Sequence, residues 1–209
     1  MARYRKQTDM SSLRFDAEKS LLAGLTILRE ARTPFALAGR LAVWSYVPAE
    51  GQGLTKEVNF AVPYGRERDL AVIASDKGYK VKSLDIGGCG VRTSGIAVDF
   101  IDRHPHLSGL FADAVRAARR QRKRLHIGPF AVPVVPRDHL VCMKLAIFDA
   151  KDDRDVAELL KVTPTKSYAR LRSLAAKYHG FIGVQRLDQI ARSVGHQGPA
   201  TVKKRYHGA

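Results

Sequence analysis

One stretch limits the folds open to this chain more than any other: Glu57-Val58-Asn59-Phe60-Ala61-Val62 alternates polar and apolar residues and then meets Pro63-Tyr64-Gly65. A period of two belongs to a strand with one face in a core, so this segment needs sheet partners and a layer to cover it. The period changes on either side. Leu21, Leu22, Leu25 and Leu28 recur at helical spacing after Asp16-Ala17-Glu18, and Thr33-Pro34 stops the pattern, which predicts an opening helix of about four turns. Glu67 to Lys77 fits another helix, closed by Gly78. Phe35 to Ala38 reads as a short buried strand, followed by Gly39 and a helix from Arg40 to Tyr46 that Pro48 ends. Glycines 87, 88, 90 and 95 punctuate short extended pieces, and Ser94-Gly95 reads as a hairpin turn before a strand from Ile96 to Ile101. Helices interleaved with strands predict a mixed α/β (α+β) domain, a small mixed sheet flanked by helices.

Further along, the pattern predicts a helix from Gly109 to Leu125, an edge strand in Phe130 to Pro136 because of its prolines, and a helix from Asp138 through Leu140, Met143, Lys144 and Ile147. A second helix starts near Asp152 and carries Val156, Leu159 and Leu160, and the chain is helical and basic from Pro164. Residues 35–38, 57–62, 96–101 and 130–135 are expected as the principal strands. The length of 209 residues and an apolar fraction of 45% suit one domain with a small appendage. The expected division is a basic N-terminal segment, 1–15, an α/β domain, 16–162, and a basic helical extension, 163–209.

Charge is uneven. The net charge is +16, of which the residues from Lys161 onward hold +9. Arg116, Arg119, Arg120, Arg122, Lys123 and Arg124 put six positive charges into nine positions. Such surfaces attract polyanions, and nucleic acid, RNA above all, is the expected partner, with a protein partner as a further possibility and a merely solvated face as the plain alternative. No apolar run approaches the roughly 18–20 residues that a membrane helix needs, and the basic start leads into Gln7-Thr8-Asp9 rather than an apolar signal core. No membrane partner and a cytoplasmic location are expected. Cys89 and Cys142 lie far apart without metal-ligand spacing and read as small core residues or free thiols.

Several short motifs occur in a telling order: Gly39-Arg40-Leu41-Ala42 after a strand, Thr55-Lys56-Glu57-Val58-Asn59-Phe60, Val98-Asp99-Phe100, the stretch Val132 to Pro136, the helix His139 to Ala146 with Lys144, and Lys151-Asp152-Asp153-Arg154-Asp155. Together they resemble the polymerase-β-like nucleotidyltransferase superfamily, especially its small bacterial members of abortive-infection and toxin–antitoxin type, over residues 16–162. The resemblance implies a nucleotidyltransferase-like fold, a nucleoside triphosphate (NTP) and Mg2+ as ligands, and a site built from residues 57, 59 and 99. Acid-x-acid on a strand presents two ligands to one spot, a third acid on a neighbouring strand completes the cage, and two cations held there activate a hydroxyl and stabilise the leaving pyrophosphate. The turn after the first strand approaches the triphosphate. Carried over residue by residue, the catalytic positions are Glu57, Asn59, Asp99 and Lys144, the metal positions Glu57 and Asp99, and the nucleotide-binding positions Gly39, Arg40, Thr55 and Lys56. Lys151, Asp152 and Asp155 support them, or cap a helix and pair with neighbours.

The chain departs from that pattern where the chemistry is most demanding. Glu57 replaces the first aspartate and neutral Asn59 the second, so the formal ligand charge falls from three to two. Arg40 takes the place of a small residue, Gly53 that of an arginine, and the loop is about three residues longer than the family pattern. The expectation is a protein weakened or lost in catalysis that binds nucleotide, RNA or both. The alternatives are an active Mg2+-dependent transferase modifying RNA or protein, and a plain basic nucleic-acid-binding protein. Without the resemblance, Glu57-x-Asn59 is only a solvent-facing pair and Asp99 a polar strand-end residue.

Overall fold

A computed structural model describes residues 15–48, 55–93, 95–127 and 130–196. The expected basic segment before residue 15, Gly53, Ser94 of the expected hairpin turn, and Lys203, Lys204 and Arg205 lie outside the described residues. The chain divides into two compact units, one up to Met143 and one from Lys144.

In the first unit α1 (Phe15–Glu30), β1 (Ala36–Ala38) and α2 (Gly39–Trp44) are followed by β2 (Glu57–Ala61) and α3 (Glu67–Asp76). Then come β3 (Lys80–Ser83), β4 (Gly88–Arg92), β5 (Ala97–Ile101), α4 (Ser108–Arg120), β6 (Arg124–Ile127), β7 (Phe130–Pro133) and α5 (Arg137–Leu145), whose last two residues already belong to the second unit. The main sheet has the order β1-β2-β5-β4-β3, with β2 and β5 parallel and the other neighbours antiparallel. It is the small mixed sheet flanked by helices that the sequence pattern predicts.

The alternation in β2 is used as expected. Val58 and Phe60 are fully buried, and so are Val98 and Phe100 at the same register on β5. Phe60 stacks on Phe100 at 5.9 Å between centroids and meets Phe35 edge-on at 5.6 Å. The apolar stripe of α1 covers this face: Leu21, Leu25, Ile27 and Leu28 are at most 2% exposed. Burial of each such side chain stabilises by about 1.5–3 kcal/mol. Gly24 allows the close approach, since a Cβ there would lie 2.6 Å from a Phe60 ring carbon. Cys89 on β4 and Cys142 on α5 are free and buried, and burial pushes both thiols up to about 12, as befits core residues.

Two expectations for this unit change. Residues 130–133 do not join the main sheet. They pair antiparallel with 124–127 in a separate two-stranded sheet, and only Val134 and Val135 reach β1, through a parallel bridge from Val134 to Leu37 and the Val135 amide donating to the Leu37 carbonyl at 2.9 Å. Pro133 and Pro136 lack the amides that a longer main-sheet strand would use. The basic helix also ends sooner than expected, at Arg120, where Gln121 turns extended.

In the second unit α6 (Ala150–Lys161) and α7 (Tyr168–Ser193) are joined by one 3-10 turn, Thr165–Ser167. The helix begins before the expected Asp152 because Asp149 is its N-cap, accepting from the Lys151 amide. Ile147, expected inside the preceding helix, lies beyond its end at Leu145. Gly180 interrupts α7 with a φ of 61°, so two helical runs meet there.

Candidate functional site

Residues opposite one another on neighbouring strands share a face of the sheet. The register aligns Ala38 with Asn59, Asn59 with Asp99, Asp99 with Gly90, and Gly90 with Lys82, one row across all five strands. The row lies on the face opposite Phe60 and Phe100. Two residues along, Glu57, Ala97, Arg92 and Lys80 form a second row on that same face. Position 99, forty residues along the chain from 59, therefore meets 57 and 59 as expected. Lys80, Lys82 and Arg92 join them and are exposed. In the sequence these three leave one local trace, the alternation Lys80-Val81-Lys82.

Local contacts fix the centre. The Asn59 side-chain amide donates to Glu57 Oε1 at 3.2 Å. Asn59 Oδ1 and Asp99 Oδ1 are buried and have no hydrogen-bond partner. Gly39 begins α2 with a φ of +62°, and a Cβ on it would lie 2.4 Å from Asn59 Nδ2. The glycine is required twice, by a backbone conformation other residues avoid and by the closeness of the asparagine. Thr55 Oγ1 donates to the Glu57 carbonyl at 2.8 Å, which ties the entry of β2. Lys56 is exposed and Arg40 half-buried. Burial raises the pKa of Asp99, the Glu57 carboxylate raises it further, and Lys82 works against both.

These donors do not fit a pair of divalent cations. Two carboxylates remain, and the amide between them spends its N–H on a Glu57 oxygen that a cation would need. Among the described residues, no group of three or more His, Cys, Asp or Glu is placed to hold a metal ion.

The remaining expected residues fall elsewhere. Lys144 belongs to the second unit, where its ammonium bonds Asp152 and pairs with Asp155 at 2.9 Å, all three side chains 10–12% exposed. Lys151 is exposed on the first turn of α6. The basic cluster divides by role. Arg124 folds back to donate to the carbonyls of Ala118, Gln121 and Lys123 at 3.2, 2.6 and 2.9 Å, closing the end of α4. The Lys123 ammonium lies 4.6 Å from the centre of the Tyr46 ring, and Arg116 pairs with Asp113. Arg119, Arg120 and Arg122 are exposed. In the second unit Arg172 is paired with Asp188, and Arg186 with Asp153 and the carbonyls of Leu145 and Ile147.

No protein-family model and no curated protein matches the sequence. Solved structures do match. An antigenic nucleotidyltransferase-like protein from Paracoccidioides brasiliensis aligns with a TM-score of 0.50 at 14% identity, over 88% of this chain and 95% of that one. The antibiotic-resistance factor ANT(2'')-Ia aligns with a TM-score of 0.47 at 16% identity, over 84% of this chain and 91% of that one. With the first of these likenesses added to the strand order and the convergence of residues 39, 57, 59 and 99, the chain has the nucleotidyltransferase-like fold.

Proposed function

We propose that this chain is a nucleotidyltransferase-like protein, weakened or lost in catalysis, that binds a nucleotide on the open face of its main sheet and RNA through its basic surface. The observation that carries the reading is Asn59. At the centre of the face, where a transfer reaction driven by two cations needs a bridging carboxylate, a neutral amide is tied to Glu57. The face nonetheless keeps buried unpartnered oxygens on Asn59 and Asp99 and the close turn at Gly39, features that a strand surface with no ligand has no need of. Exposed Arg119, Arg120 and Arg122 supply a phosphate-binding patch.

The test incubates the protein with labelled NTPs, Mg2+ or Mn2+ and total RNA, comparing wild type, Glu57→Asp with Asn59→Asp, and Asp99→Ala. Wild type is expected to transfer little or nothing while it binds NTP. Robust labelling by wild type that vanishes in Asp99→Ala refutes the reading and identifies an active transferase.

A further inference from the structure

The open face carries a cation of its own on the row from which the centre has lost an acid. Lys82 on β3 is in register with Gly90 on β4, and Gly90 with Asp99 on β5. Gly90 has no side chain to separate the other two: a Cβ there would lie 2.9 Å from Asp99 Oδ1 and equally 2.9 Å from Lys82 Cε. The lysine stem thus lies over the glycine on the same face as the aspartate, with no side chain between them, and its charge lowers the Asp99 pKa against the burial that raises it. Lys80 and Arg92 occupy the next row of the same face, so the β3 side of the site is cationic over two rows.

We propose that Lys82 takes the part of a divalent cation, its ammonium balancing Asp99 and receiving the phosphates of a nucleoside triphosphate, so that this face binds its ligand without metal. The inference rests on the nucleotide-binding reading above and specifies how that site holds charge. An ammonium has three donors and a single charge, fits non-bridging phosphate oxygens as a point charge, and is not removed by a chelator. Lysines on an edge strand also discourage pairing between sheet edges. That role needs no partner acid across a glycine, and it makes no demand on nucleotide binding.

The experiment measures binding of a fluorescent ATP analogue and of inorganic triphosphate to the whole chain, first in EDTA and then in Mg2+. Trp44 fluorescence confirms that each variant is folded. Wild type is expected to bind in EDTA with an affinity that Mg2+ changes by less than about threefold, Lys82→Gln to lose about tenfold in EDTA, and Lys82→Arg to keep most of the affinity. Asp99→Asn gives a test of sign: it removes the negative charge that opposes phosphate beside Lys82 and should tighten binding in EDTA, whereas loss of a metal ligand would weaken binding in Mg2+. Binding by wild type only in Mg2+, equal binding by Lys82→Gln, or no tightening in Asp99→Asn overturns the proposal and leaves the nucleotide site in place. Failure of wild type to bind either probe with or without Mg2+ overturns the nucleotide-binding reading and this inference with it.

Discussion

Two glycines on β4, two residues apart, should respond to alanine to very different extents, and the difference measures how rigidly the sheet holds Asp99. Gly88 has a φ of +99°, and a Cβ on it would lie 2.0 Å from the Phe100 carbonyl oxygen and 3.2 Å from Ile101 Cα. Both obstacles are backbone of β5, the strand that carries Asp99, so neither can rotate away. The left-handed conformation alone costs about 1–2 kcal/mol for a residue with a Cβ. Forcing the strands apart adds about 1–3 kcal/mol, which puts Gly88→Ala at about 2–5 kcal/mol. At Gly90 the obstacles are Asp99 Oδ1 and Lys82 Cε, each at 2.9 Å, and a Leu84 methyl at 3.2 Å, all outer parts of side chains that can turn aside. Gly90→Ala should therefore cost about 1 kcal/mol or less, offset by the smaller entropy alanine loses on folding.

Urea denaturation followed by fluorescence reads this directly. The chain has one tryptophan, and Trp44, 8% exposed on α2, belongs to the first unit. With a urea slope of about 1–3 kcal/mol per molar, Gly88→Ala should lower the midpoint by about 1 M or more. A loss below about 1 kcal/mol at Gly88, or a larger loss at Gly90 than at Gly88, would show that the β4–β5 register is not fixed as described.

Lys144→Met leaves Asp152 and Asp155 as buried carboxylates without their cation and should destabilise the protein by about 3–5 kcal/mol by far-UV circular dichroism, with Asp152→Asn and Asp155→Asn added to it recovering most of the loss. Burial alone would raise the pKa of Asp188, but hydrogen bonds from Arg172 and Tyr168 outweigh it and hold the carboxyl below its ordinary value near 3.8. Its contribution is thus complete above that value and lost as pH falls through the lowered one, so acid unfolding in that range should flatten in Asp188→Asn. Replacing Arg119, Arg120 and Arg122 together by Gln should weaken RNA binding and reduce its log–log salt slope by about 2, whereas Arg124→Gln should act on stability, by about 1–3 kcal/mol, because its donors close α4.

What the sequence made legible was local. The leucine repeat of α1, the alternation of β2 and the stop at Gly78, which has a φ of +78°, each depend on neighbours a few positions away. The end of α4 was not legible. Nothing from Arg119 to Arg124 breaks a helix, and the chain leaves it because Arg124 returns to the last carbonyls while Leu125 and Val132 are paired across a second sheet. Lys144 was legible as a lysine on a helix with Leu140, Met143 and Ile147, and Asp152 and Asp155 as supporting or helix-capping acids. Their joining as a buried ion triad depends on how α6 is placed, which periodicity does not give.

The centre of the site was legible only through motif order, and the placing of its cations beside that centre was not legible, because register across four strand pairings is long-range information. That register changes the meaning of the asparagine. An aspartate at 59 would face Asp99 on the adjacent strand, two carboxylates on one row with Lys82 as the lone opposing charge, and such a row demands an added cation. With Asn59 in place the row reads neutral, acid, glycine, base, and its formal charges cancel within the chain. Glu57 lies on the second row, where Arg92 and Lys80 outnumber it. Asn59 and Lys82 therefore act in one direction: each lowers the negative charge of the face, and what remains on its two rows is a small excess of positive charge.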